Sequence, residues 1–384
     1  MTPPFAFATA TQILFGRGQA KDAAARISAF GQHVFLLHGR SSARSAWLTA
    51  ALVDLGCTVT EFPVPAEPDL ALIEAGVAQA RDMGAQVVVA IGGGAVIDAG
   101  KAIAALVPAP RDGMTYLEVV GQGLPLDRAP LPCVALPTTA GTGAEVTRNA
   151  VIAVPEHRRK VSLRDARMLP DLAIVDPALT DHCPPAITLA SGLDAITQVI
   201  EPYICTRTNP LTDALCRDAT PRGLAALPVL MRAEDAAARD EMAWVSLCGG
   251  MALANAGLGA VHGLAGPLGG LTGAAHGAIC GALLPHALKA NRAKVTDPML
   301  RDRMDQVGGW IGAAFGQPQA DLAQAADLLA DWSRQAGLPG LTALGIDRTV
   351  RIAAAEAAAS SSSMKANPAA LDVQDLMQLM EAAG

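Results

Sequence analysis

Residues 86–106 read QVVVAIGGGAVIDAGKAIAAL, and this stretch decides the fold of the N-terminal half. The apolar, β-branched run 86–91 is typical of a central strand buried on both faces. Gly92, Gly93 and Gly94 follow it directly, and a helical pattern then continues to about Leu106. Glycines at such a turn let the backbone approach a pyrophosphate, and the free N–H groups of the helix start favour an anion. The spacing is not the G-x-G-x-x-G fingerprint, so a tight strand-to-helix turn explains the triplet equally well.

The same alternation of strand and helix extends along the N-terminal half. We predict strands at 33–37, 58–62, 133–136 and 172–175, with helices at about 43–55 and 74–83. Strands that alternate with helices pair in parallel, so the pattern predicts a Rossmann-like α/β domain.

Asp176 and Pro177 mark a change of pattern, after which no strand is predicted. Segments rich in Ala and Leu at helical spacing fill the rest, at about 186–205, 210–230, 234–255, 277–291, 298–315, 320–336, 347–358 and 371–382. A chain of 384 residues also exceeds what one core usually supports. We therefore predict an α/β domain at 1–178 and an all-helical domain at 179–384.

The composition excludes several classes of partner. The net charge is -7, and no stripe of Lys and Arg is present, which argues against nucleic acid. The seven cysteines form no C-x-x-C pair, a pattern typical of small buried thiols in a reduced compartment. The N-terminus has neither a basic region nor a long apolar region of a secretory signal. A cytoplasmic protein is the expectation.

Residues 243–288 contain no Asp, Glu, Lys or Arg. A membrane-spanning helix needs about 20 continuous apolar residues. Here the apolar runs are interrupted by histidines, prolines and many glycines, namely His262, His276, His286, Pro267 and Pro285. The stretch is therefore interpreted as a buried helical core that lines a site, with no membrane partner.

A second loop, PTTAGTGAEVT at 137–147, also follows a predicted strand. Its hydroxyls and glycines suit phosphate, ribose or carboxamide contacts, although a Ser/Thr turn with a helix cap has the same composition. Because both loops follow strands of one parallel sheet, they are expected at its carboxyl edge, where open α/β folds bind nucleotides. Together the two loops favour a nucleotide.

A candidate metal site lies in the helical half. Asp194 and Gln198 are four residues apart and project from one helix face, while His262 and His276 lie in the uncharged stretch. Asp and His converging in a dry cavity form a plausible divalent-metal set. A lone histidine in such a stretch is more often a core residue.

These motifs occur together in the order and at the spacing of one known family. The glycine run through Asp98 and Lys101, the threonine–glycine loop, Asp176-Pro177 and Gly192-Leu193-Asp194 precede His262, Pro267-Leu268-Gly269-Gly270, His276-Gly277 and Leu283-Leu284-Pro285-His286. Over essentially the whole chain the sequence resembles the iron-containing (group III) alcohol dehydrogenases. The resemblance implies a Rossmann-like N-terminal domain and a helical C-terminal domain, the dehydroquinate synthase-like fold. It further implies a cofactor in the cleft between the domains and a homodimer.

The resemblance also implies the site residues. The family binds one divalent metal, Fe²⁺ or Zn²⁺, through Asp, His, His and His; the matching positions are Asp194, Gln198, His262 and His276. Gln198 is a departure, since an amide oxygen is a poorer ligand than imidazole for these metals. Gly266 replaces a second family histidine, next to the nicotinamide, so the resemblance does not imply a histidine proton relay here. The expected catalytic residues are His262, Asn149 and Lys160.

Cofactor choice depends on the loop after the first core strand. Family members that use NAD often carry an acidic residue there, which holds the ribose hydroxyls. This chain has Gly39, Arg40, Ser41 and Ser42, with no carboxylate to repel a 2′-phosphate, so NADP is favoured over NAD. Arg40 as an ordinary solvated surface charge is the alternative. The expected cofactor-binding residues are Gly39, Arg40, Ser41, Ser42, Gly92, Gly93, Gly94, Asp98, Thr138, Thr139, Thr142 and Lys160.

The leading functional hypothesis is a metal-assisted, NAD(P)-dependent alcohol dehydrogenase or aldehyde reductase. Its substrate is expected to be a small alcohol or aldehyde, although Arg148 offers a charge for a carboxylate. A metal-independent enzyme similar to the maleylacetate reductases is the nearest alternative. The others are a dehydroquinate synthase-like lyase, which should carry more Lys and Arg in its motifs, and a non-catalytic nucleotide-binding relative.

Overall fold

The computed structural model of the chain describes residues 4–359 and 361–384. They form two compact units. The α/β unit comprises Thr9–Thr139 and Gly143–Asp181, and the helical unit comprises residues 4–8, residues 140–142 and His182–Gly384. The sequence division at 1–178 and 179–384 stays a prediction from pattern, whereas these two units follow the packing of the chain.

The α/β unit is built on a parallel sheet. Its strands are β1 Gln12–Phe15, β2 His33–His38, β3 Thr58–Pro63, β4 Val87–Gly92, β5 Cys133–Pro137, β6 Asn149–Val154, β7 Arg159–Arg164 and β8 Leu172–Val175. Six of them form one sheet in the order β1-β8-β5-β4-β2-β3, and all of its pairs are parallel. This arrangement confirms the predicted Rossmann-like sheet.

Helices cover both faces of the sheet. They are α1 Ala23–Ser28, α2 Ala46–Asp54, α3 Leu70–Asp82, α4 Gly94–Leu106 and the short α5 Gly113–Tyr116. Val88 and Ala90 of β4 pack into the core that includes α3 and α4. Val87, Val89 and Ile91 pack into the core that includes α1 and α2. Because every residue of β4 is buried, the strand appears in the sequence as a continuous apolar run.

The sequence analysis did not predict three of the strands. β1 has only four residues, which are exposed or half-buried, and it exists as a strand through its pairing with β8. β6 and β7 form a separate antiparallel hairpin, and β7 carries the charged residues Arg159, Lys160 and Arg164. Short or charged edge strands depend on their partners, so local pattern underestimates them.

The helical unit contains α6 Pro185–Ile204, α7 Pro210–Leu230, α8 Ala236–Asn255, α9 Ala260–Thr272, α10 His276–Lys294, α11 Pro298–Ala314, α12 Leu322–Gln335, α13 Arg348–Ala358 and α14 Val373–Ala382. As predicted, the described residues after Val175 contain no strand. α9 was not predicted, because its glycines and Pro267 have poor helix propensity. Within the described residues no helix alone has the length and apolarity of a membrane span, and only α8 with α9, bent by 96°, passes that test as a pair.

Candidate functional site

Three helices of the helical unit bring four ligand-type side chains together. Asp194 comes from α6, His262 from α9, and His276 and Cys280 from the first turns of α10. His276 and Cys280 are neighbours because residues four apart share a helix face. One ligand atom from each residue lies within 4.8 Å of all the others. We call these four residues the metal cluster.

The distances within the metal cluster are short. Asp194 Oδ1 lies 3.4 Å from His262 Nε2 and 3.9 Å from His276 Nε2. Cys280 Sγ lies 3.6 Å from His276 Nε2 and 3.9 Å from His262 Nε2. Asp194 and Cys280 are buried, while His276 keeps 34% of its side chain exposed, so the metal cluster is accessible from that side.

Asp194 Oδ1 provides the test of whether a metal fits. This oxygen is buried, and although His262 Nε2 lies 3.4 Å away, it accepts no hydrogen bond from the described residues. A buried carboxylate oxygen without a partner is costly, and bound cations are a common compensation. Carboxylate, imidazole and thiolate are all ligands of divalent transition metals. The residues present therefore fit the divalent metal that the sequence implies.

Glu201 holds His262 in the orientation that a metal ligand needs. His262 Nδ1 donates to Glu201 Oε2 at 2.7 Å, and the backbone N–H of Val261 donates to Glu201 Oε1 at 2.8 Å. Since the carboxylate only accepts, the ring carries a proton on Nδ1, and Nε2, which faces Asp194 and Cys280, is the nitrogen left to bind a metal. The sequence analysis missed Glu201, although it lies seven residues after Asp194 and thus on the same face of α6.

The electrostatics of the metal cluster favour positive charge. Burial alone lowers the pKa of His276, but the Cys280 sulfur and the Asp194 carboxylate raise it to about 9. His262 behaves in the same way, and its pKa is raised well above the ordinary value despite burial. Burial raises the pKa of Asp194, but the two neighbouring imidazoles outweigh burial and lower it. Solvent at the exposed side of His276 screens part of its shift.

Gln198 and Gly266, the two departures from the family pattern, lie near the metal cluster in sequence. Gln198 follows Asp194 by one turn of α6, and its Nε2 donates to the Gly141 carbonyl at 2.6 Å. Gly266 lies in α9, one turn after His262. No described atom lies within 4 Å of the position that a Gly266 Cβ would occupy, so the site of the missing histidine is open space.

In the α/β unit, the two predicted loops meet at the carboxyl edge of the sheet. Gly92 pairs with Pro137, and the Thr138 N–H donates to the Gly92 carbonyl at 2.9 Å. A Cβ on Gly93 would lie 3.2 Å from Thr139 Oγ1, so the loops are in close contact. Gly93 is the N-cap residue of α4 and, as glycine, has no side chain that could cap the first N–H groups of the helix. The first N–H groups of α4 are thus available to an anion.

Several other predicted residues have protein partners. Asp98 accepts from the Val151 N–H at 3.0 Å and pairs with Lys101 at 3.0 Å. The fully buried Lys101 ammonium also donates to the Thr147 hydroxyl at 2.8 Å and to the Asn149 carbonyl. Lys160 forms an ion pair with Glu67. The contacts of Asp98 and Lys101 fix the chain around the loop 137–147.

The remaining predicted residues are Gly39 to Ser42, in the loop after β2, and Thr142. Arg40 and Ser41 are exposed, Gly39 and Ser42 are half-buried, and within the described residues no ion pair involves Arg40. The Ser41 hydroxyl accepts from the Ala43 N–H at 3.3 Å. Thr142 belongs to the helical unit, unlike Thr138 and Thr139.

Sequence reasoning also missed Cys280 of the metal cluster, which had been assigned to the core with the other thiols.

Comparison with known proteins agrees with the motifs. The family model described as "Iron-containing alcohol dehydrogenase" matches residues 10–177, and "Fe-containing alcohol dehydrogenase family, C-terminal" matches residues 188–384. The chain is 33% identical over 358 residues to "Probable alcohol dehydrogenase EutG" of Escherichia coli (strain K12), covering 92% of this chain and 87% of the relative. It is 34% identical over 320 residues to "Lactaldehyde reductase" of the same organism, covering 82% and 81%. The solved structure of 1,3-propanediol oxidoreductase shares the fold with a TM-score of 0.86 and 28% identity, over 100% of both chains.

Proposed function

Because this chain belongs to the iron-containing alcohol dehydrogenase family, whose members are oxidoreductases of alcohols and aldehydes, we propose that it reduces a small aldehyde, or oxidises the corresponding alcohol, with NADP and a divalent metal. In the reduction, a bound NADPH would supply the hydride for the carbonyl carbon, and solvent would supply the proton for the oxygen. A small aldehyde fits the name of one relative, the lactaldehyde reductase. The homodimer and the cytoplasmic location implied by the sequence are part of the proposal.

The unpartnered Asp194 Oδ1 is the observation that supports metal assistance most directly. Asp194, His262 and His276 would hold the metal, and Gln198 stands at the fourth family position. A divalent metal bound there polarises an alcohol or carbonyl oxygen and stabilises negative charge on it. Glu201 keeps the His262 ring in the correct tautomer and orientation. The exposed side of His276 leaves room for the substrate to approach.

The α/β unit would bind the dinucleotide. The backbone of Gly92, Gly93 and Gly94 at the start of α4 would receive the pyrophosphate, and Thr138 and Thr139 contribute hydroxyls beside it. Asp98, through Lys101, fixes the adjacent loop and Asn149. Thr142 and Lys160 complete the proposed set.

The loop after β2 supports NADP over NAD. Arg40 is exposed, and Ser41 and Ser42 offer hydroxyls next to it. None of residues 39–42 is acidic, so no carboxylate of this loop would oppose a 2′-phosphate. A charged hydrogen bond contributes about 1.5–3 kcal/mol, so Arg40→Ala should weaken NADPH by about 10–100-fold and leave NADH nearly unchanged. Arg111→Ala, which removes an exposed arginine paired with Asp127 in the same unit, is the control.

A metal-independent reductase is the second candidate, and the neutral Gln198 at a ligand position is the observation that favours it. The two are separated by measuring metal content and turnover on the same protein, purified without chelators or a histidine tag. We expect near-stoichiometric metal and NADPH-dependent reduction of two- to four-carbon aldehydes. Protein without metal that still reduces these aldehydes would refute metal assistance.

Asp194→Asn gives the residue-level test of the same proposal. Losing the carboxylate should remove the metal and slow reduction by at least about 100-fold, because metal polarisation is worth several kcal/mol in the transition state. Asp327→Asn changes a surface carboxylate of α12 in the same unit and should leave the metal content and the rate of reduction unchanged. Equal activity of the two variants would contradict the proposal.

A further inference from the structure

We propose that Cys280 is a ligand of the metal, and that the centre is Asp194, His262, His276 and Cys280, a set that prefers Zn²⁺. The inference deepens the proposed function, since it rests on the metal that the function requires. It places sulfur in a site for which the family resemblance implies only oxygen and nitrogen ligands. Gln198 is then a positioning residue rather than the fourth ligand.

The geometry of the metal cluster is close to that of a tetrahedral zinc site. With Zn–S near 2.3 Å and Zn–N near 2.0–2.1 Å, a tetrahedron has N···S edges of about 3.5 Å and N···O edges of about 3.3 Å. Cys280 Sγ lies 3.6 Å from His276 Nε2 and 3.9 Å from His262 Nε2. Asp194 Oδ1 lies 3.4 Å from His262 Nε2. Asp194 Oδ1 lies 3.9 Å from His276 Nε2, so the printed edges must shorten by up to about 0.6 Å when the ion is bound.

Cys280 differs from the other six cysteines because its sulfur lies among other potential metal ligands. All seven cysteines are buried thiols, but within the described residues only Cys280 belongs to a group that could hold a metal ion. Its position one turn after His276 directs both side chains to the same face of α10. Asp194 Oδ1, the unpartnered oxygen, lies in the same group.

Gln198 is engaged elsewhere, and it brings no charge. Its Nε2 donates to the Gly141 carbonyl at 2.6 Å, which fixes the carboxamide against the neighbouring backbone. A set of Asp, His, His and Gln carries one negative charge against the two positive charges of the ion. Exchanging the amide for a thiolate makes the buried centre neutral, which lowers its desolvation cost. Thiolate is also a soft ligand that favours Zn²⁺ over harder cations.

The test is the coordination shell of the bound metal. The metal-free full-length protein is loaded with Zn²⁺ for X-ray absorption at the zinc edge, and separately with Co²⁺ for its visible and near-ultraviolet spectrum. We expect one sulfur at about 2.3 Å, and a thiolate-to-cobalt charge-transfer band. Cys280→Ala should abolish both and weaken zinc by at least about 100-fold, beyond the 10–100-fold of an outer-shell change.

Two variants serve as controls. Cys248→Ala removes another fully buried thiol of the same core, and it should keep the sulfur shell and the zinc affinity. Gln198→Ala should keep the sulfur shell as well. If Cys280→Ala does not fold, X-ray absorption of zinc in the wild-type protein tests the inference by itself. A sulfur in the coordination shell supports it, and a shell without sulfur overturns it.

Two results would overturn the inference. One is a shell of nitrogen and oxygen only in the wild-type protein, and the other is a shell that loses a ligand in Gln198→Ala but not in Cys280→Ala. Protein that binds no metal yet reduces aldehydes with NADPH would refute Cys280 ligation and leave the hydride transfer standing. Protein that binds zinc through sulfur but transfers no hydride would confirm the inference and refute the proposed function.

Discussion

At the scale of single residues, Glu201 accepts hydrogen bonds with both of its carboxylate oxygens. Oε1 accepts from the Val261 N–H, and Oε2 accepts from His262 Nδ1. In Glu201→Gln one acceptor becomes an NH₂ group that faces a donor, so one hydrogen bond is lost and the ring of His262 is no longer fixed. We expect metal affinity to fall by about 10–100-fold. Zinc titration of the metal-free variant measures the change.

The control for Glu201 is Glu241→Gln, which neutralises an exposed carboxylate of α8 that pairs with Arg222. It should leave the zinc affinity unchanged. An equal loss in both variants would mean that the effect of Glu201 is general electrostatics rather than the positioning of His262. Unchanged affinity in Glu201→Gln would remove Glu201 from the site.

Glu145 predicts a pH dependence of stability. It is 2% exposed, and burial raises its pKa from 4.5 to about 7, although Lys101 opposes the shift. The folded chain therefore holds a proton that the unfolded chain releases, and stability falls as the pH rises from about 4.5 to about 7. A shift of this size is worth about 3 kcal/mol. Denaturant unfolding at pH 5 and pH 8 should show the loss in wild type but not in Glu145→Gln.

Glu118→Gln, which changes a half-exposed carboxylate of the same unit, is the control for the pH experiment. It should retain the wild-type pH dependence. A Glu145→Gln variant with that same dependence would assign the titration to other groups.

At the scale of elements, two glycines in helices have opposite roles. A Cβ on Gly100 of α4 would lie 2.7 Å from the Ala90 Cβ of β4, so the helix packs on the sheet only with glycine there. A Cβ on Gly266 of α9 meets no described atom within 4 Å. Gly100→Ala should lower the free energy of unfolding by about 1–3 kcal/mol through overpacking. Gly266→Ala should raise it by about 0.5–1 kcal/mol.

The glycine pair is measured by denaturant unfolding of both variants beside wild type. Because each change is the same methyl group in a helix, propensity cancels and packing alone separates them. Equal stability of the two variants would mean that α4 moves away from β4 at little cost.

The elements that the sequence predicted are those whose burial can be inferred from local pattern. β2, β5 and β8 were predicted to within one residue, because continuous apolar runs are buried whichever strands flank them. β1 and the hairpin β6–β7 depend on pairing, and α9 depends on packing against α10 and α13, which overrides its four glycines. Neither strand pairing nor helix packing can be inferred from a short stretch of sequence.

The residues of the candidate site also divide into those that the sequence predicted and those that it did not. Asp194, His262 and His276 could be selected because the family motifs mark them, and the structure brings them together. Cys280 and Glu201 carry no motif that distinguishes them from a core thiol and an ordinary helix carboxylate. Their proposed roles depend on the packing of α6, α9 and α10 against one another, and this packing cannot be inferred from a short stretch of sequence.

At the scale of the whole molecule, the two units divide the proposed ligands between them. The metal cluster lies entirely in the helical unit, and the loops at the carboxyl edge of the sheet lie in the α/β unit, apart from residues 140–142. A ligand stabilises the part of the chain that it binds, by about 2.7 kcal/mol at one hundred times its dissociation constant. Each ligand should therefore protect its own unit from local opening.

Hydrogen exchange followed by mass spectrometry tests this division. Zinc should slow exchange by up to about 100-fold in α6, α9 and the first turns of α10, because openings that release the metal become rarer. NADPH should slow exchange in the loops after β2, β4 and β5. In Asp194→Asn the protection by zinc should disappear, while the protection by NADPH in the α/β unit remains. Zinc protection at the loop after β4, or its persistence in Asp194→Asn, would place the metal elsewhere in the molecule.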